Sequence, residues 1–277
     1  MIKKFLLIFF IFFYAISGFT KGVVDQKGNP TTDLLQLLNL LQISHENNLE
    51  SIVTLTQQQW IEPGKERWEL KEKYPEKKMQ AWPLLKSIGC IDAIHAKEKQ
   101  YEYALVLGAL RSRIERRLKF LYEEWKMGVR FKEIVFLTGK RDLNPKIEEV
   151  PQGLSSETEL MKFVYDSLNF SEEFRAIPLK IIDTPKQLRE GALMQRPNTG
   201  DTIMQWLMLE PKPGKCLAVS DQPFATNQDA VLRLLLPQDF EVETIGDAAQ
   251  ENLPFAVYLD NLAKWLQQEQ MIIEFNL

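Results

Sequence analysis

From residue 101 onward the apolar and polar positions follow two rhythms in turn. Short unbroken apolar runs occur at 103–108 (YALVLG), 133–139 (EIVFLTG), 178–183 (PLKIID), 215–220 (KCLAVS) and 240–246 (FEVETIG). Runs of that length, bounded by Gly, Pro or polar residues, read as buried strands. Between them the apolar residues recur every three or four positions, at 114–128, 155–168, 201–209, 227–236 and 254–269. These read as helices. Gly128 suits the stop of the first, and Ser156 with Glu159 has capping-box spacing at the start of the second. The last apolar run, 271–275 (MIIEF), reads as a final edge strand.

Strands alternating with helices predict βαβ units and a parallel sheet covered on both faces. The expected fold class is therefore α/β, a Rossmann-like three-layer sandwich with a mostly parallel sheet over 101–277. The preceding 21–100 reads differently. Leucines at 34, 35, 37, 38, 40, 41, 49 and 55 follow a Thr-Thr-Asp start and predict one or two helices. Residues 60–83 hold Trp60, Trp68 and Trp82 among many charges and three prolines, which predicts a short amphipathic helix with loops. The tryptophans read as packing anchors or, alternatively, as ligand-stacking groups. This region is expected to be helical and packed on the core.

Residues 1–20 stand apart. Lys3 and Lys4 precede an uncharged apolar stretch from Phe5 to Ile16, and Ala15-Ile16-Ser17 offers small residues for cleavage. That is the pattern of a secretory signal peptide, and the stretch is short for a full membrane span of ~20 residues. Cleaved signal, uncleaved inner-membrane anchor and buried helix are the three readings. The first two imply export to the periplasm or cell envelope.

Composition narrows the classes. The 277 residues are 45% hydrophobic and 26% charged, as in a globular protein, and the net charge of −4 argues against bulk attraction to nucleic acid. Cys90 and Cys216 would be able to pair after export, although Cys216 in a strand reads as a small apolar residue. With His45 and His95 they show no metal-ligand spacing, so no metal site is assigned.

In an open parallel sheet ligands bind beyond the carboxyl ends of the strands. After the first run come Gly108, Arg111 and Arg113, and after the second Gly139, Lys140 and Arg141. The helix after the third run is preceded by Arg196, Asn198 and Thr199, where Thr199 suits a cap. The fourth run ends at Ser220, Asp221 and Gln222, with Asn227 at the next helix start as a cap or a ligand contact. Small turn residues beside arginines predict a site for an anionic, oxygen-rich ligand. Glu157 complements a helix dipole or reaches into the site as a base.

The order of these segments resembles the SanA/YdcF/ElyC-type domains, a bacterial envelope-associated group. The resemblance spans about 103–249 and rests on YALVLGA, IVFLTGKR, SSETELM, RPNTGDT, CLAVSDQPFATNQDAVLR and FEVETIG. Where that family tends to carry His and Arg after the fourth strand, this chain has Ser220-Asp221-Gln222-Pro223-Phe224. The resemblance implies an envelope-side protein, linked to peptidoglycan or envelope metabolism, with a pocket for a phosphorylated or carboxylated molecule.

Three functions follow as expectations. The first is binding of an anionic small molecule, with Arg111, Arg141 and Arg196 clamping it and Asn198, Ser220 and Asp221 orienting it. The second is a metal-assisted hydrolase or transferase on a phosphate-containing substrate, with Asp221, Glu157 and Ser220 as catalytic candidates and a divalent metal as cofactor. No His lies in the matched region to complete a Ser–His–Asp triad. The third is a protein-interaction module using the N-terminal helices.

Overall fold

The computed structural model describes residues 22–189 and 193–275. The leader reading of 1–20 lies outside them. Among the described residues no helix is long and apolar enough to cross a membrane.

The chain is a Rossmann-like α/β sandwich. Five strands, β1 (Gln100–Leu107), β2 (Arg130–Gly139), β3 (Leu179–Thr184), β6 (Lys215–Asp221) and β7 (Glu241–Asp247), form one sheet in the order β3-β2-β1-β6-β7. Every neighbouring pair is parallel. The chain builds outward from β1 to β3, then crosses to the other side of β1 and continues outward to β7. The reversal lies between β1 and β6, where Tyr103–Val106 pair with Cys216–Val219. Crevices for ligands in such sheets form at this reversal.

Alternation along each strand sends side chains to two cores. Ala104, Val106, Ile134, Phe136, Leu217 and Val219 pack with α4 (Arg111–Lys126) and α5 (Glu157–Ser167). Leu105, Leu107, Val135, Leu137, Cys216 and Ala218 pack with α7 (Thr199–Leu207) and α8 (Ala225–Leu235). The sheet is thus apolar on both faces, as its unbroken apolar runs require. Two short elements complete this part: α6 (Glu172–Arg175), and an antiparallel hairpin of β4 (Gln187–Arg189) with β5 (Leu193–Gln195) that the sequence pattern did not predict.

The N-terminal region holds α1 (Thr32–Leu40), α2 (Leu49–Trp60) and α3 (Lys78–Ile88). The predicted amphipathic helix of 60–83 is instead two single 3-10 turns, Arg67–Glu69 and Pro75–Lys77, followed by α3 with Pro83 inside it. Leu34, Leu37, Leu38, Ile52 and Trp60 form a third core with Tyr258, Leu259, Leu262 and Leu266. Those last four belong to α9 (Phe255–Phe275). The apolar face of the N-terminal helices therefore lies inside the molecule. Trp60 is buried, Trp82 meets Tyr258 edge-on with ring centroids 5.6 Å apart, and Trp68 is exposed.

The predicted edge strand at 271–275 is the end of α9. No Gly or Pro interrupts 255–275, so nothing stops the helix, and its continuing 3.6-residue period carries Ile272 onto the N-terminal core. Cys90 and Cys216 are both free and buried, in different cores.

Candidate functional site

β6 ends in Ser220 and Asp221, both fully enclosed, and the following turn contains a cis Gln222–Pro223 bond. Asp221 receives two arginines from consecutive turns of α4. Arg113 donates from Nε (2.8 Å) and Nη2 (2.9 Å) to the two carboxylate oxygens, a forked pair. Arg117 donates from Nε (2.8 Å) to Oδ1 and from Nη1 to the carbonyls of Leu107 (2.6 Å) and Gly108 (2.9 Å), at the end of β1. Arg116 adds a longer contact to Asp221 (3.9 Å) and pairs with Asp247 at the end of β7 (3.0 Å). One helix thus ties the ends of β1, β6 and β7 together. Burial acts to raise the Asp221 carboxyl, but Arg113 and Arg117 outweigh it and hold it well below the ordinary aspartate range. Burial draws the Arg117 guanidinium down to about 10, against the pull of Asp221.

A second cluster lies past β2. Arg141 donates from Nη1 to Glu148 (2.7 Å) and from Nε to Glu157 (3.2 Å). Glu157 opens α5 and turns inward: its Oε2 accepts from the Gly139 N–H (3.4 Å) and lies where a Cβ on Gly108 would stand 2.5 Å from it. A Cβ on Gly139 would overlap the Pro197 ring. The two glycines are thus required by close approach. Burial pushes the Glu157 carboxyl above the ordinary glutamate range despite Arg141 and Arg196. A shallow cleft of about 710 Å³ opens farther along this rim, lined by Lys140, Asp142, Asp183 and Lys186 among others.

The sequence-predicted residues separate into groups. Gly108, Arg113, Ser220 and Asp221 converge at the reversal, and Gly139, Arg141 and Glu157 meet beside it. Arg111 instead faces outward to Glu149 (3.2 Å), and Arg196 pairs with Glu66 (2.8 Å) from the N-terminal region. Asn198 is the cap of α7, accepting from the Asp201 N–H (2.9 Å), so the predicted cap Thr199 is the first helical residue. Gln222 is not turned to a ligand: its amide ties the turn to the carbonyls of Gly89 (2.8 Å) and Asp92 (3.1 Å). The Ser220 hydroxyl is bonded to Gln228 and enclosed, which leaves no path for it as a nucleophile. Phe224, not Asn227, stands at the cap position of α8. Among the described residues no three His, Cys, Asp or Glu side chains gather to hold a metal, and the oxygens of Asp221 are held by guanidiniums.

Sequence reasoning missed Arg117, Arg116 and Arg67. The first two had a signal: with Arg113 they recur at three and four residues on one helix face. Arg67 had none, because it reaches the site from a segment more than thirty positions before β1.

Fold and site together define a Rossmann-like α/β protein with an arginine-rich cluster at the point of strand reversal. No protein-family model matches the chain, and no curated protein matches it.

Proposed function

We propose that this protein binds an anionic, phosphorylated or carboxylated small molecule at the carboxyl ends of its sheet strands, on the envelope side of a bacterial inner membrane. The observation that carries the binding half is the convergence of Arg113, Arg116 and Arg117 on the reversal point, where three guanidiniums meet the two carboxylates of Asp221 and Asp247. A preorganised excess of guanidinium beside small turn residues favours a ligand oxyanion. The predicted clamps Arg111, Arg141 and Arg196 each have at least one acid of their own, whereas the three α4 arginines share two. The binding role therefore moves to the α4 arginines. The export half rests on the leader pattern and the family resemblance, which also suggest a link to envelope or peptidoglycan metabolism.

The test is thermal-shift screening of the purified protein against nucleotides, sugar nucleotides and cell-wall precursors, with and without magnesium. An anion that raises the melting temperature of the wild type but not of Arg113→Lys supports the reading. No shift with any anion removes it. N-terminal sequencing of the mature chain tests the leader.

One observation favours a catalytic alternative. Glu157 is a buried carboxyl with raised proton affinity, wedged between the turns that follow β1 and β2. Such a group suits general acid or base work in a hydrolase or transferase.

A further inference from the structure

Arg67 is the one guanidinium of the strand-end cluster with no acid or carbonyl partner among the described residues. It projects from the 3-10 turn Arg67–Glu69. That turn is held on both sides. Glu66 pairs with Arg196 (2.8 Å), and the Glu72 carboxylate caps α9 by accepting from the N–H groups of Phe255 (3.1 Å) and Ala256 (3.0 Å). The Arg67 guanidinium lies 4.0 Å from the centroid of the Phe224 ring, and that of Arg113 lies 3.8 Å from the same centroid. Two cations thus share one buried aromatic ring, directly after Asp221.

The ring favours each cation. It does not balance their charge. The acid that acts on Arg67, Asp260, is enclosed and already paired with Lys264 (2.7 Å). Burial, then the neighbouring Arg113, draws the Arg67 guanidinium down to about 9, and Arg196 and Arg117 act in the same sense. It stays protonated at neutral pH. Arg67, Arg113, Arg117, Arg196 and Lys264 therefore face Asp221, Asp260, Glu66 and Glu157, one acid fewer than the cations. Arg67 is half-buried, and a partly enclosed cation without a counter-charge favours the arrival of one. A second feature lies on the same turn of the chain: Asn227, three residues beyond Phe224, has a buried Oδ1 with no hydrogen-bond partner among the described residues.

We infer that Arg67 is a ligand-binding residue contributed by the N-terminal region, and that it takes a phosphoryl group. This rests on the strand-end anion reading above and narrows it. A phosphoryl group offers three terminal oxygens where a carboxylate offers two, and so accepts from both guanidiniums at once. Arg67 and Arg113, both within 4.0 Å of the Phe224 ring centroid, are its two donors. The N-terminal helices then complete the site instead of only covering the sheet domain.

The experiment measures binding of inorganic phosphate, pyrophosphate and acetate to the full chain by calorimetry and thermal shift at constant ionic strength. The proteins are the wild type, Arg67→Ala, Arg67→Gln and Arg67→Lys. The expected result is that phosphate or pyrophosphate binds the wild type, about tenfold or more weakly in Arg67→Ala and Arg67→Gln. Arg67→Lys retains part of the affinity, and acetate binds poorly throughout. Equal phosphate binding in the wild type and Arg67→Gln overturns the assignment of Arg67 but leaves the strand-end site standing. Acetate binding as well as phosphate overturns the phosphoryl assignment. No anion binding to the wild type overturns the strand-end reading itself. If Arg67→Ala fails to fold, Arg67→Gln, which keeps an uncharged polar side chain on the turn, decides the question.

Discussion

The Asp221 carboxylate and the Arg117 guanidinium meet at the end of β6, with Nε at 2.8 Å and Nη2 at 2.7 Å, and neither side chain is more than 1% exposed. A pair so enclosed is sensitive to loss of either member, because the survivor is left as an unpaired buried charge.

Asp221→Ala is expected to destabilise the fold by about 3–5 kcal/mol in urea denaturation. Arg117 then keeps only the Leu107 and Gly108 carbonyls and Gln228 and Ser220 as polar neighbours. The pH dependence has a definite sign. The Asp221 carboxyl is depressed in the fold, so its contribution is complete above the ordinary aspartate value near ~4 and is lost as pH falls toward the folded value. The wild type should lose stability below about pH 4 more steeply than Asp221→Ala. Parallel acid limbs would show that the Asp221 carboxyl is not depressed in the fold.

Glu157 works in the opposite direction. Its carboxyl is raised by burial, so the folded state holds the proton more tightly than the unfolded chain. Stability should fall as pH rises from the unfolded value of about 4.3 through the raised one. Glu157→Gln removes the titration and should abolish that part of the slope. Denaturation curves collected across this window for both proteins test it, and identical slopes would place the Glu157 carboxyl in the ordinary range.

Cys90 and Cys216 are free, and burial pushes both thiols up to about 12. Neither should react with an aromatic disulfide reagent in the native protein at neutral pH. Both should react on unfolding in guanidinium without prior reduction, giving two thiols per chain. No reactive thiol after unfolding would mean that the two had paired.

Much of the architecture was legible along the chain. The apolar runs at 103–108, 133–139 and 215–220 became central strands, because a strand covered on both faces must be apolar throughout. Ser156 and Glu159 formed the capping box that their spacing predicted, because a cap involves only neighbouring backbone. Gly108, Arg113 and Asp221 were visible as residues that follow strands. The end of α9 was misread because a short apolar run suits a strand or a helix equally well, and only its contact with the N-terminal core separates them.

The sequence by itself determined the five strands of the main sheet and the helices between them, and that the residues after those strands gather along one rim. Tertiary structure decided which of those residues are free. Arg111, Arg141 and Arg196 read as ligand clamps, yet they meet Glu149, Glu148 and Glu66 in the fold, the last from 130 positions away. Arg67 read as one charge among many in a loop, and it alone of the strand-end cluster reaches it without a counter-charge. The physical reason is that local structure depends on near neighbours in the chain, whereas the balance of charge in an enclosed site depends on side chains brought together by packing, at separations that no periodicity records.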